Sequence, residues 1–160
     1  MNNFAKAFGK KFDADSVRVR SFELNGNTFK VRIPLTAESE QMGERLKKAD
    51  DDLVEKYYAE LSKNFLENKS EFEKEKGIEY KDNDIIIQGR SIREAASNKA
   101  LTEMRIVEMM KLLVPEEKEF DMTTITYDMI DELFPFPVQI QMLELISETI
   151  SPTYEKNKGK

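Results

Sequence analysis

The chain has 160 residues and a net charge of −6, and it holds no histidine, cysteine or tryptophan. Those absences exclude a Ser-His or Cys-His nucleophile pair and a zinc site of the common Cys/His kinds. The acidic balance opposes nonspecific binding to nucleic acid or an anionic membrane, and no apolar run approaches the roughly 20 residues needed to cross a bilayer.

Apolar residues make up 39% of the chain and charged residues 35%, well above the usual quarter or so, which suits long, partly exposed helices. The absence of cysteine and of an apolar h-region points to the cytoplasm. The expected organisation is an N-terminal arm over 1–15, one α+β and mostly helical domain over 16–152, and a mobile tail over 153–160.

Phe4, Phe8 and Phe12 are spaced four apart, so a helical turn or two would align them; Gly9 weakens that helix. The segment reads as an arm docked on its own domain or as an aromatic handle for a partner. Residues 16–35 predict a β-hairpin around Asn25-Gly26, the strongest two-residue turn signal. It pairs Leu24 with Asn27 and Phe22 with Phe29, and puts Phe22, Leu24, Phe29, Val31 and Ile33 on one face. A bulge at Arg20-Ser21 would bring Val17 and Val19 to that face and turn Arg18, Arg20, Lys30 and Arg32 away from it.

Residues 37–76 predict a long helix that could be interrupted, with Thr36 as its cap and Gly77 as its stop. Its apolar stripe runs through Met42, Leu46, Ala49, Leu53, Tyr57, Leu61, Phe65 and Phe72. Residues 78–89 read as two short strands about a polar turn, or as one strand with a loop. A helix over 91–114 opens on the capping pattern Ser91 to Glu94 and ends at Pro115. A polar loop follows, then a short helix capped by Thr126, a break at Phe134-Pro135-Phe136-Pro137, and a last apolar helix with Pro137 at its first position and Pro152 at its end.

No catalytic, cofactor or metal residues are assigned. Consecutive helical residues point about 100° apart, so Asp50, Asp51 and Asp52 read as a solvated helix face rather than a metal cluster. The loop from Lys81 to Asp84 lacks the spacing of a calcium-binding loop. The basic hairpin could enter a nucleic-acid groove, which makes a nucleic-acid-binding adaptor the alternative function. A Mg²⁺-dependent hydrolase built on Asp51 is a further rival. Candidate contacts for a protein partner are Phe4, Phe8, Phe134, Phe136, Met109 and Met110. The methionines of the C-terminal half fill a core or make an adaptable surface.

Two stretches, FELNGNTFKVRIPL and ITYDMIDELFPFPVQIQMLELISETISP, in this order resemble the tail assembly chaperones of long-tailed phages. The resemblance implies a non-enzymatic, homo-oligomeric protein of the bacterial host cytoplasm. Such a protein binds the tape measure protein, keeps it soluble, helps recruit tail tube protein and leaves before the virion is complete. It also implies a longer form made by frameshifting, with which the terminal Lys158-Gly159-Lys160 is compatible.

Overall fold

Asn25 and Gly26 both take positive φ, 53° and 78°, the pair of values that a tight two-residue hairpin turn demands. They join β1 (Val19–Leu24) to β2 (Asn27–Arg32) in the expected register, Phe22 opposite Phe29 and Leu24 opposite Asn27. The computed structural model that shows this describes residues 3–13 and 17–151. The proposed tail over 153–160, Pro152 as a helix end and Ser16 as a domain start lie outside the described residues.

The elements that follow are α1 (Asn3–Ala7) with a 3₁₀ turn (Gly9–Phe12) before the hairpin, then α2 (Thr36–Arg45), α3 (Asp51–Glu67) and α4 (Lys69–Phe72) after it. Next come β3 (Ile78–Lys81), β4 (Asp84–Ile87), β5 (Arg90–Ser91), α5 (Ile92–Met110) and β6 (Leu113–Val114). A 3₁₀ turn (Met122–Thr124), α6 (Tyr127–Leu133) and α7 (Phe136–Ile150) complete the described chain. The fold is α+β and mostly helical, with the hairpin packed on helices, as expected. It is built of two compact units, one from Met1–Met42 with Ile106–Lys160 and one from Gly43–Arg105.

In the first unit the three-stranded antiparallel sheet has the order β1-β2-β6 and lays one face on α7. Phe22, Leu24 and Val31 from the hairpin meet Met42, Ile106, Met110, Leu112, Ile130, Met142 and Ile146 in one apolar core. The Phe22 and Phe29 rings stack at 5.5 Å. The expected bulge is absent, because the pairing runs unbroken from Val19↔Arg32 to Leu24↔Asn27. Arg20 therefore shares the face of Phe22 and Val31, and Val19 lies on the other. The reason is a helix end: Arg20 donates from one guanidinium nitrogen to the Thr149 carbonyl at 2.8 Å and the Ser151 carbonyl at 3.1 Å. Carbonyls at a helix C-terminus lack intrahelical donors and carry partial negative charge, so a cation there is stabilised.

The helix expected over 91–114 stops at Met110, and Leu113-Val114 forms a strand on β2. Pro115 forces its neighbour Val114 into extended backbone, and the open edge of β2 accepts it. Lys30 and Val31 pair with Val114 and Leu113, and Arg32 N–H donates to the Leu112 carbonyl at 2.9 Å.

In the second unit, the long helix expected over 37–76 is broken. Asp50 accepts from Asp52 N–H at 3.0 Å and caps α3, with Asp51 and Asp52 in its first turn. Carboxylates suit this position because four N–H groups there lack partners and the helix dipole is positive. The helical run also ends at Phe72 rather than at Gly77. Ala49, Tyr57, Ala96 and Ala100 form the unit's core, with Leu53, Val54, Tyr58, Leu101 and Met104 around it. The second sheet, β3-β4-β5, is antiparallel. Gln88 and Gly89 repeat the positive-φ turn of the first hairpin and make β5.

Candidate interaction surfaces

The carboxylates that stood out in the sequence mostly serve the fold. Asp84 reaches the start of α5, where its two oxygens accept from Ile85 N–H (2.8 Å), Arg93 N–H (3.0 Å) and the Ser91 hydroxyl. Ser91 in turn accepts from Glu94 N–H at 3.0 Å, as the capping pattern predicts. Burial opposes ionisation of Asp84. The hydrogen bonds from Ser91, Arg93 and Ile85, together with the Arg93 charge, outweigh it and hold the carboxyl below its ordinary range. Glu103 is buried and accepts from the Tyr57 hydroxyl. No group of three or more carboxylates placed to hold a metal ion occurs among the described residues.

The basic hairpin is engaged within the chain. Arg32 donates both terminal nitrogens to the Glu38 carboxylate at 2.7 and 2.5 Å. Arg18 lies 3.9 Å from Glu38 and donates to the Ile33 carbonyl at 3.2 Å. With Arg20 at the end of α7, three of the four cations that a nucleic-acid ribbon would offer already hold oxygens of this chain. An open groove of about 1140 Å³ runs beside the sheet, lined by Thr28, Phe29, Lys30, Val114 and Met122 among others.

The six candidate contacts separate by burial. Met110 is in the core at 3% exposure. Met109 and Phe134 are half-buried against that core. A side chain held in this way supports the fold and offers a partner little area, so Met110 is removed from the surface set. Phe4, Phe8 and Phe136 are exposed, at 64%, 46% and 51%. The Phe4 and Phe8 rings lie 5.2 Å apart, as their four-residue spacing predicts.

The sequence reading passed over the most exposed of these residues. Leu133, at the end of α6, is 75% exposed, and Met129, one turn before it, is 41% exposed. The signal was present: Ile130 and Phe134 turn to the core, which leaves Met129 and Leu133 on the other side of a short helix.

The corner between α6 and α7 is held rigid by Gln139, which is fully buried. Its amide nitrogen donates to the Phe134 carbonyl (2.8 Å) and to Asp131 (2.9 Å), and its amide oxygen accepts from the Tyr127 hydroxyl (2.8 Å). Thr126 caps α6 through Met129 N–H, as predicted. Phe134 is extended, as a residue before proline must be. Helix α7 begins at Phe136, one residue ahead of the expected Pro137. The corner thus presents Met129, Leu133 and Phe136 among the exposed carboxylates Asp128, Asp131 and Glu132.

Comparison with protein-family models, curated proteins and solved structures finds no match for this chain. No helix among the described residues is long and apolar enough to cross a membrane.

Proposed function

We propose that this chain is a tail assembly chaperone of a long-tailed phage. It binds the tape measure protein in the host cytoplasm, keeps it soluble and helps recruit tail tube protein, without covalent chemistry. The order of hairpin, helices and Phe-Pro corner motivates the family. The observation that carries the reading is that large apolar side chains stand open on a strongly anionic body. Leu133, Phe4, Leu35, Leu66 and Phe136 each keep half or more of their surface exposed. Isolated exposed apolar residues are ordinary, but several on one small chain supply binding area. The −6 charge keeps such a chain soluble at high concentration. The engaged state of Arg18, Arg20 and Arg32 speaks against the nucleic-acid alternative.

Co-expression with the tape measure protein tests this. The expected result is a client that moves from the insoluble to the soluble fraction and co-purifies with the chain. A client that stays insoluble with and without the chain removes the proposal.

A further inference from the structure

Strand β6 is two residues long and covers part of its neighbour. It pairs Val114 with Lys30 and Leu113 with Val31, and Pro115 ends it. Proline has no N–H to offer a ladder, so the pairing goes no further. Strand β2 continues to Asn27. Alternation along β2 sends the N–H and C=O of Thr28, Lys30 and Arg32 to the β6 side, in keeping with the bond from Arg32 N–H to the Leu112 carbonyl. Lys30 and Arg32 find backbone partners there, whereas Thr28 has none among the described residues. Thr28 lies on the wall of the groove beside the sheet, together with Phe29, Lys30, Leu113, Val114 and Lys118.

We infer that an extended segment of a partner protein, with apolar and acidic residues in alternation, docks in this groove as a further strand on β2. This goes beyond the chaperone reading and does not depend on it. At about 1140 Å³ the groove exceeds the ~300–1,000 Å³ of an ordinary small-molecule pocket. An open strand edge offers an incoming chain main-chain hydrogen bonds, and its alternate side chains supply selectivity. Those side chains fall in turn on the two faces of the sheet. On the outer face they meet Thr28, Lys30 and Val114; on the inner face they meet Phe29 and Leu113, both half-buried against the core. Neither Lys30 nor Lys118 makes an ion pair or a side-chain hydrogen bond among the described residues. Glu116 is the single carboxylate on the lining, so the groove is net cationic on a chain of charge −6. Carboxylates therefore suit the outer side of the occupant and apolar groups its inner side. A nucleic acid also offers anions, but it has no strand backbone to pair with Thr28, and the anionic body repels it.

Fluorescence anisotropy of a short labelled peptide of alternating valine and glutamate, titrated with the purified full chain, tests the proposal. The expected dissociation constant is about 0.1 mM, since a few residues cover far less than a standard interface. The same peptide with lysine in place of glutamate is expected to bind about tenfold more weakly. The double substitution K30E/K118E replaces exposed residues, and circular dichroism checks that it still folds. It is expected to weaken the glutamate peptide about tenfold and to reverse the preference between the two peptides. Thr28→Pro removes an N–H on the open edge and no ladder bond, so it is expected to abolish binding with the hairpin intact. In the wild type, peptide is expected to shift the Thr28 amide resonance and slow its exchange with solvent. No binding at about 1 mM peptide overturns the proposal. So does binding indifferent to K30E/K118E, or binding that leaves the Thr28 amide unmoved. An oligothymidylate that outcompetes the peptide overturns it in favour of a nucleic-acid site. None of these outcomes bears on whether a client is kept soluble.

Discussion

At Gln139 a single side chain decides the geometry of the corner. A buried amide costs free energy unless its groups are paired, and here both ends are paired to α6 or to the residue that closes it. Gln139→Leu is expected to lower stability by about 2 kcal/mol, seen as a lower urea midpoint at unchanged slope. An unmoved midpoint would show that the network contributes nothing. Asp84 acts in a similar way at the start of α5. Its folded pKa lies below the ordinary value of about 3.9, so it stabilises the fold above that pH and the contribution is lost as pH falls through the folded pKa. Asp84→Asn is expected to be less stable than the wild type near neutrality, with the gap closing below about pH 4. A gap that is the same at every pH would mean that the carboxylate charge plays no part.

The elements are set by how their ends are satisfied. The first hairpin depends on a residue that tolerates φ of 78° at position 26. Gly26→Val is expected to cost about 1–2 kcal/mol, because a Cβ in the left-handed region crowds the following carbonyl. Thermal unfolding measures it, and an unchanged melting temperature would refute the turn assignment. Helix α7 depends at its far end on Arg20. Arg20→Met keeps the apolar stem but loses both carbonyl contacts, so amide exchange in the last turn of α7 is expected to quicken while the centre of the helix is unaffected. Equal protection in both proteins would make Arg20 a surface ornament.

The hairpin register, the cap at Thr126, the cap at Ser91 and the Phe-Pro corner were legible because each rests on a local rule that neighbouring residues complete. The break at Asp50 was legible too, as acidic residues at a helix start. An interruption was allowed for but not placed, because the apolar stripe runs on through Leu46, Ala49 and Leu53 as if the helix were continuous.

At the scale of the whole molecule, an anionic body with open apolar side chains predicts, on the proposed chaperone reading, how a client would be held. Capture of a cationic client is expected to be strongest at low salt and to weaken without vanishing as salt rises, since screening removes the charge term and leaves the apolar one. Pull-down of a client of known positive charge over a salt series measures this. Capture that is flat with salt would remove the carboxylate rim from the binding account. Of the six residues proposed as partner contacts, three are exposed. Met110 went to the core because Met110, Met142 and Met42 fill one apolar interior together. Spacing alone cannot separate an inward methionine from an outward one once a helix is apolar on most sides.

The sequence by itself determined that this chain is acidic, mostly helical and without histidine or cysteine chemistry, and that its first hairpin turns at Asn25-Gly26. Those properties follow from composition and from interactions a few residues apart. Only the tertiary structure decided that Arg20 faces a helix end, that Leu113-Val114 joins a sheet, that Glu103 is buried against Tyr57, and that Leu133 stands open. Each of these depends on a partner distant along the chain or on which side a neighbouring element covers, and no local pattern carries that information.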